Sequence, residues 1–99
     1  MNLHDTTLPA LRRELDAIDD QLIQHLAARF AITKRVGELK AKHNLPPTDR
    51  KREAEQFARI SKVALANGLK QEFAKSFLRL VINEVVRNHE ALRKDKAHG

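Results

Sequence analysis

The 99-residue sequence predicts a small all-α protein with three helices, one long and two shorter. Apolar residues recur at steps of three and four through most of the chain, a periodicity typical of helices and not of strands. Two short breaks, Asn44–Pro47 and Asn67–Gly68, divide this pattern into three parts. We expect the helices at about residues 7–43, 49–66 and 70–93.

The first helix carries a continuous apolar stripe, made of Leu8, Leu11, Leu15, Ile18, Leu22 and Leu26. Thr7 can cap its start, because a threonine hydroxyl accepts a hydrogen bond from the first turn. A helix of about 35 residues is roughly 50 Å long, far longer than the two helices that follow. The simplest way to bury such a stripe is to pack it against a second copy of the chain, so we expect a homodimeric helical bundle.

The second and third helices have clear start and stop signals. Thr48 or Asp49 begins the second helix, and Asn67–Gly68 ends it, since glycine readily adopts the left-handed conformation found after many helices. The third helix is expected to fray in the charged segment Arg93–Lys96.

Length and composition exclude several classes of protein. At 99 residues, the chain fits one domain that covers residues 1–99. It has no Cys, which excludes disulfides and thiolate chemistry and fits a reducing compartment. No apolar run approaches the roughly 20 residues that span a bilayer, and Met1–Asp5 resembles neither a basic leader nor a signal core. We expect a cytoplasmic protein that makes no membrane contact.

The positive charge is concentrated in one part of the chain. Of the formal net charge of +6, the stretch from Lys34 to Arg52 contributes +5, with seven cations against two acids. Such an excess favours an anionic partner, either nucleic acid or a small multivalent acid. The only aromatic residues are four phenylalanines, so a base-stacking platform is not expected, and we predict no nucleic-acid partner. A basic module that binds nucleic acid or an acidic protein is the alternative from another class.

Several cations and carboxylates occupy positions that an apolar bundle does not require. Arg29 falls near the apolar sector of the first helix, and Lys40 lies about 20° around and roughly 16 Å along the helix from it. Both side chains are long enough to converge on a ligand. Asp49, Arg52 and Glu53 cluster at the start of the second helix. The alternatives are surface ion pairs for the cations and helix capping for the acids.

His89 follows Val81 and Val85 at steps of four, which places it on or beside the apolar stripe of the third helix. A buried structural histidine is the alternative to a catalytic one. The other histidines, at positions 4, 25, 43 and 98, lack the spacing of metal ligands, so we predict no metal site.

Four segments together carry a resemblance to a known family. The stretches Leu11–Asp19, Leu26–Arg29, Val36–Lys40 and Asp49–Glu53 resemble the all-helical, AroQ-type chorismate mutases, with matching spacing and no gap from Leu11 to Glu53. The resemblance implies an intertwined homodimer whose long helices cross to the partner, with two equivalent active sites. It implies the rearrangement of chorismate to prephenate.

The resemblance also implies a role for each site residue. Arg12 from the partner chain, Arg29 and Arg52 would bind the two substrate carboxylates. Lys40 would reach a carboxylate and the ether oxygen. Glu53 and the backbone near Asp49 would hold the ring hydroxyl.

Two positions depart from the family pattern. Val85 takes the place of a serine that often assists substrate binding, so we expect a substrate contact without its hydroxyl. His89 replaces the glutamine or glutamate that usually donates to the ether oxygen. We predict that Lys40 and His89 flank this oxygen as the catalytic pair, and that activity rises as His89 becomes cationic.

The implied reaction is intramolecular, so no cofactor, nucleophile or general base is expected. The protein needs only to hold the dianion folded and to place positive charge at the breaking C–O bond. An isochorismate pyruvate-lyase, which shares the family fold and cationic pocket, is the nearest alternative. A non-catalytic regulatory domain is a third possibility, against which the set Arg12, Arg29, Lys40, Arg52 and Glu53 argues.

Overall fold

A computed structural model of the chain contains three helices: α1 (Leu8–Lys42), α2 (Arg50–Ala66) and α3 (Gln71–His98). The structure describes the backbone of residues 7–98 and the side chains of residues 7–94. The all-α prediction is confirmed. Over the described range, no helix is both long enough and apolar enough to cross a membrane. The chain divides into two compact units, Met1–Ile32 and Thr33–Gly99; that it forms a single domain stays a prediction.

The N-terminal unit contains the first part of α1. The Thr7 hydroxyl accepts a hydrogen bond from the Ala10 amide at 3.3 Å, which is the predicted cap. The apolar stripe is largely open to solvent. Its side chains are between 41% and 58% exposed at Leu8, Leu11, Leu15, Ile18 and Leu22. A continuous apolar surface of this kind usually marks a site of interaction with another molecule.

In the C-terminal unit, α2 packs against α3. The buried residues that form this core are Ala64 of α2 and Ala74, Leu78, Val81 and Ile82 of α3. Ala64 is only 2% exposed, and its small side chain lets the two helices approach closely. The packing holds the N-terminal part of α2 in a fixed position beside the middle of α3.

The chain turns between helices at two residues with left-handed backbone conformations. Asn44 has φ of 56°, and the Leu45 amide donates to the Lys40 carbonyl at 2.8 Å, which closes α1. Gly68 has φ of 71°, and the Leu69 amide donates to the Ala64 carbonyl at 2.9 Å. Both turns fall in the predicted breaks, where asparagine and glycine tolerate positive φ at low cost.

The third helix is longer than predicted. It continues to His98, five residues beyond the expected end at residue 93. The segment from Arg93 to His98 contains charged residues but neither glycine nor proline. Lysine and arginine are good helix formers, so charge alone does not end a helix.

The C-terminal part of α1 contacts α3 through His89. This residue is 4% exposed, and its ring lies directly against Gly37. Its Nε2 atom lies 2.8 Å from the Thr33 carbonyl oxygen. Because a carbonyl oxygen only accepts hydrogen bonds, Nε2 carries a proton and donates it here. A Cβ atom at Gly37 would lie 2.8 Å from Nε2, so the absence of a side chain makes room for the ring.

We therefore expect Gly37→Ala to destabilise the protein by about 1–3 kcal/mol, the usual cost of overpacking. Inside a helix, Gly→Ala ordinarily stabilises a protein by about 1 kcal/mol. A destabilising effect at Gly37 would therefore identify its contact with the His89 ring. Urea unfolding followed by circular dichroism measures the change. The control is the same substitution in a His89→Ala background, where the methyl group has room and the penalty should disappear. A single variant more stable than the wild type would contradict the packing.

Candidate active site

A pocket with a volume of about 720 Å³ lies between the start of α2 and the middle of α3. This volume is in the range of small-molecule sites. Three arginines line it, Arg50, Arg79 and Arg87, together with the acids Glu53 and Glu90. Apolar side chains complete the wall, including Phe57, Ile82 and Val86. A pocket with this lining fits a small acid that has a polar edge and an apolar body.

Of the eight predicted site residues, Glu53 alone is among the residues that line this pocket. Its Oε1 atom accepts a hydrogen bond from Nη1 of Arg79 at 3.0 Å, which joins α2 to α3. The guanidinium of Arg79 also lies over the Phe57 ring, 4.5 Å from its centroid. The Glu53 side chain is 18% exposed. The carboxylate is thus held on one side by a cation and has its other oxygen, Oε2, as a further acceptor.

Asp49 and Arg52 form the N-terminal cap of α2. Asp49 has an extended backbone, with φ of −131° and ψ of 99°, and its side chain accepts from the Arg52 amide at 3.1 Å. The Arg52 side chain is 62% exposed and lies 3.7 Å from Glu55 on the same helix. The capping and ion-pair alternatives therefore describe these two side chains in the single chain. Their predicted contacts with substrate stay predictions.

The cations of α1 differ in exposure. Arg12 is exposed, whereas Arg29 is partly buried. Its Nη1 atom is fully buried and has no hydrogen-bond partner among the described residues. Lys40, in the C-terminal unit, is also partly buried. An unsatisfied buried donor costs about 1–3 kcal/mol, so the Arg29 guanidinium is suited to bind an acceptor from outside the chain.

Val85 and His89 lie one turn apart on α3. Val85 is partly buried, and its side chain can offer only apolar contact. His89 is the one predicted site residue that is buried, at 4% exposure, and its Nε2 donates to the Thr33 carbonyl as described above. Its Nδ1 atom is buried and has no partner within residues 7–94. With Nε2 protonated, Nδ1 can donate to a ligand only if the ring is cationic.

Sequence reasoning missed two arginines of α3. Arg79 forms an ion pair with Glu53, which lies 26 residues away in the sequence, and no local sequence pattern predicts such a contact. Arg93 was assigned to a frayed tail, yet it is helical and its Nη2 atom is buried without a partner in the described part of the chain. The only available signal for Arg93 was its spacing of four residues from His89, which places both on one face of the helix.

The described residues contain no group of three or more His, Asp or Glu side chains that is placed to hold a metal ion. His4 lies outside the described residues, as does the side chain of His98.

Comparison with known proteins identifies relatives over most of the chain. A family model described as chorismate mutase type II matches residues 11–90. The T-protein of Enterobacter agglomerans is 36% identical over 77 residues, which are 78% of this chain and 21% of that protein. A bifunctional chorismate mutase/prephenate dehydratase of Aquifex aeolicus is 43% identical over 53 residues, or 54% of this chain and 15% of that protein.

A third relative is named for a different substrate. The 4-amino-4-deoxychorismate mutase of Streptomyces pristinaespiralis is 32% identical over 80 residues, which are 81% of this chain and 62% of that protein. The chain thus spans less than two thirds of the length of each of these relatives.

Proposed function

Because the chain belongs to the chorismate mutase type II family, we propose that it catalyses the rearrangement of chorismate to prephenate. The observation that carries the proposal is the extent of the family match. Residues 11–90 include all eight of the site residues predicted from the sequence, from Arg12 to His89. On this proposal the chain is an isomerase, and because the rearrangement is intramolecular, no cofactor is expected for the reaction.

The first task of the site is to hold a flexible dianion in a folded conformation. Arginine suits this task because its planar guanidinium binds a carboxylate through two parallel hydrogen bonds. We assign it to Arg29 and Arg52 of one chain and Arg12 of the partner. The buried, unpartnered Nη1 of Arg29 supports this assignment, since a bound carboxylate would supply the missing acceptor.

The second task is to stabilise negative charge on the ether oxygen as the C–O bond breaks. A preorganised cation stabilises such a transition state more than the ground state, which is the condition for acceleration. We assign this role to Lys40, which is partly buried. His89 can assist only through Nδ1, because its Nε2 donates to the Thr33 carbonyl. Its contribution therefore requires a cationic ring.

We also propose that the active form is a homodimer. The support is the apolar stripe of α1, whose side chains stay 41% to 58% exposed in the single chain. A second copy would bury this stripe and bring the partner's arginine to each site. The cytoplasmic location and the absence of a nucleic-acid partner stay predictions.

The proposed function predicts that the purified chain consumes chorismate, with prephenate as the product. Loss of chorismate is followed by absorbance, and the product is identified by mass spectrometry. Isochorismate and 4-amino-4-deoxychorismate are assayed in parallel. Release of pyruvate from isochorismate, with no turnover of chorismate, would favour the lyase. If none of the three substrates reacted and the chain bound nucleic acid with steep salt dependence, the basic-module alternative would stand.

Lys40→Ala should reduce kcat by about 100-fold or more, the usual effect of removing a preorganised donor to the transition state. Steady-state kinetics with chorismate measures the loss. Lys42→Ala is the matched control, because Lys42 lies on the same turn of α1 but is exposed. Near-normal turnover by Lys40→Ala would rule out its catalytic role.

Arg12→Ala and Arg52→Ala should each abolish activity alone, yet recover part of it when the two variants are refolded together. When equal amounts of the two variants pair at random, half of the dimers are hybrids that contain one chain of each variant. If Arg12 acts across the interface, one of the two sites in each hybrid has both arginines. The mixture should therefore reach about a quarter of wild-type activity. No recovery, despite hybrid dimers seen by native mass spectrometry, would show that Arg12 serves its own chain.

A further inference from the structure

We propose that Arg79 makes the site selective for a substrate with a ring hydroxyl over one with a ring ammonium group. The inference rests on the proposed function and names a specificity-determining residue for it. Arg79 acts through Glu53, the carboxylate expected to hold the ring hydroxyl. The basis is the geometry of these two side chains in the pocket between α2 and α3.

Arg79 is held in place by two independent contacts. Its Nη1 atom donates to Oε1 of Glu53 at 3.0 Å, and its guanidinium lies 4.5 Å from the centroid of the Phe57 ring. Both partners belong to α2, whereas Arg79 belongs to α3. The Glu53 side chain is 18% exposed and that of Arg79 is 51% exposed. The charge of Glu53 is therefore matched by a fixed cation before any ligand binds.

The pairing changes what the Glu53 carboxylate can bind. A carboxylate has two oxygens with two lone pairs each, and Arg79 donates to one of these positions on Oε1, so Oε2 and the second lone pair of Oε1 can still accept from a ligand. A neutral hydroxyl can donate to Oε2 with no electrostatic penalty. An aliphatic amine is cationic near pH 7, so its ammonium group would approach the carboxylate with the guanidinium close by. Repulsion between the two cations opposes its binding.

The rest of the pocket adds to the effect. Arg50 and Arg87 also line it, so arginines outnumber the glutamates by three to two. Arg87 forms an ion pair with Glu84 of its own helix at 2.6 Å, which offsets part of its charge. Arg79 is the arginine that contacts Glu53 directly, and so it should dominate the discrimination.

The experiment compares kcat/KM for chorismate and for 4-amino-4-deoxychorismate in the wild type and in Arg79→Met. Methionine removes the charge but keeps a long side chain over Phe57. We expect the ratio of the two values to shift toward the amino substrate by about fivefold, the scale of a partly exposed charge pair. Arg79→Lys keeps the charge and should retain most of the wild-type selectivity.

Lys75→Met is the matched control. Lys75 is a cation of α3 that pairs with Glu72 at 3.7 Å and is absent from the pocket lining. This variant should leave the ratio unchanged. Far-ultraviolet circular dichroism and thermal unfolding verify that each variant is folded.

The outcomes separate this inference from the function on which it rests. A wild type active on chorismate, combined with an unchanged ratio in Arg79→Met, overturns the inference alone, as does an equal loss toward both substrates. If the wild type turned over neither substrate, the proposed function and the inference would fail together.

Discussion

The packing of α2 against α3 is the contact on which the pocket lined by Glu53 and Arg79 depends. Small side chains at its centre, above all Ala64, let the helices approach, and the start of α2 then lies beside the middle of α3. Only in that arrangement does Arg79 reach Glu53 and cover the Phe57 ring. This pocket is therefore set by helix packing and not by a flexible loop, which favours a fixed geometry and preorganised charge.

The helical architecture was predictable from the sequence because its signals are local. Periodicity marked each helix, Thr7 and Asp49 supplied caps, and Gly68 supplied a left-handed turn. The predicted end of α3 at residue 93 was wrong, because the prediction relied on a charged segment. Charge stops a helix far less reliably than glycine or proline does. His89 was predicted on or beside the apolar stripe and is buried, but its contact with Gly37 was not predictable, because it forms only where the C-terminal part of α1 meets α3.

The candidate site was predictable only in part. Resemblance to a family supplied the eight residues. Asp49, which follows the break between the first two helices, also had a local signal, because its residue type and position predicted a helix cap. The Glu53–Arg79 pair had none, because its members lie 26 residues apart and meet only through tertiary structure. The buried nitrogen of Arg29 is likewise invisible in a sequence, since periodicity assigns a side chain to a face but does not tell which of its atoms are satisfied.

The open apolar stripe of α1 has a thermodynamic consequence. In the dimer that we propose, burying this surface contributes to the folding free energy of both chains, so stability follows the law of mass action. Dilution would weaken the fold and remove the partner's arginine in the same step. A chain built in this way loses its activity and its resistance to denaturation together, because association supplies both.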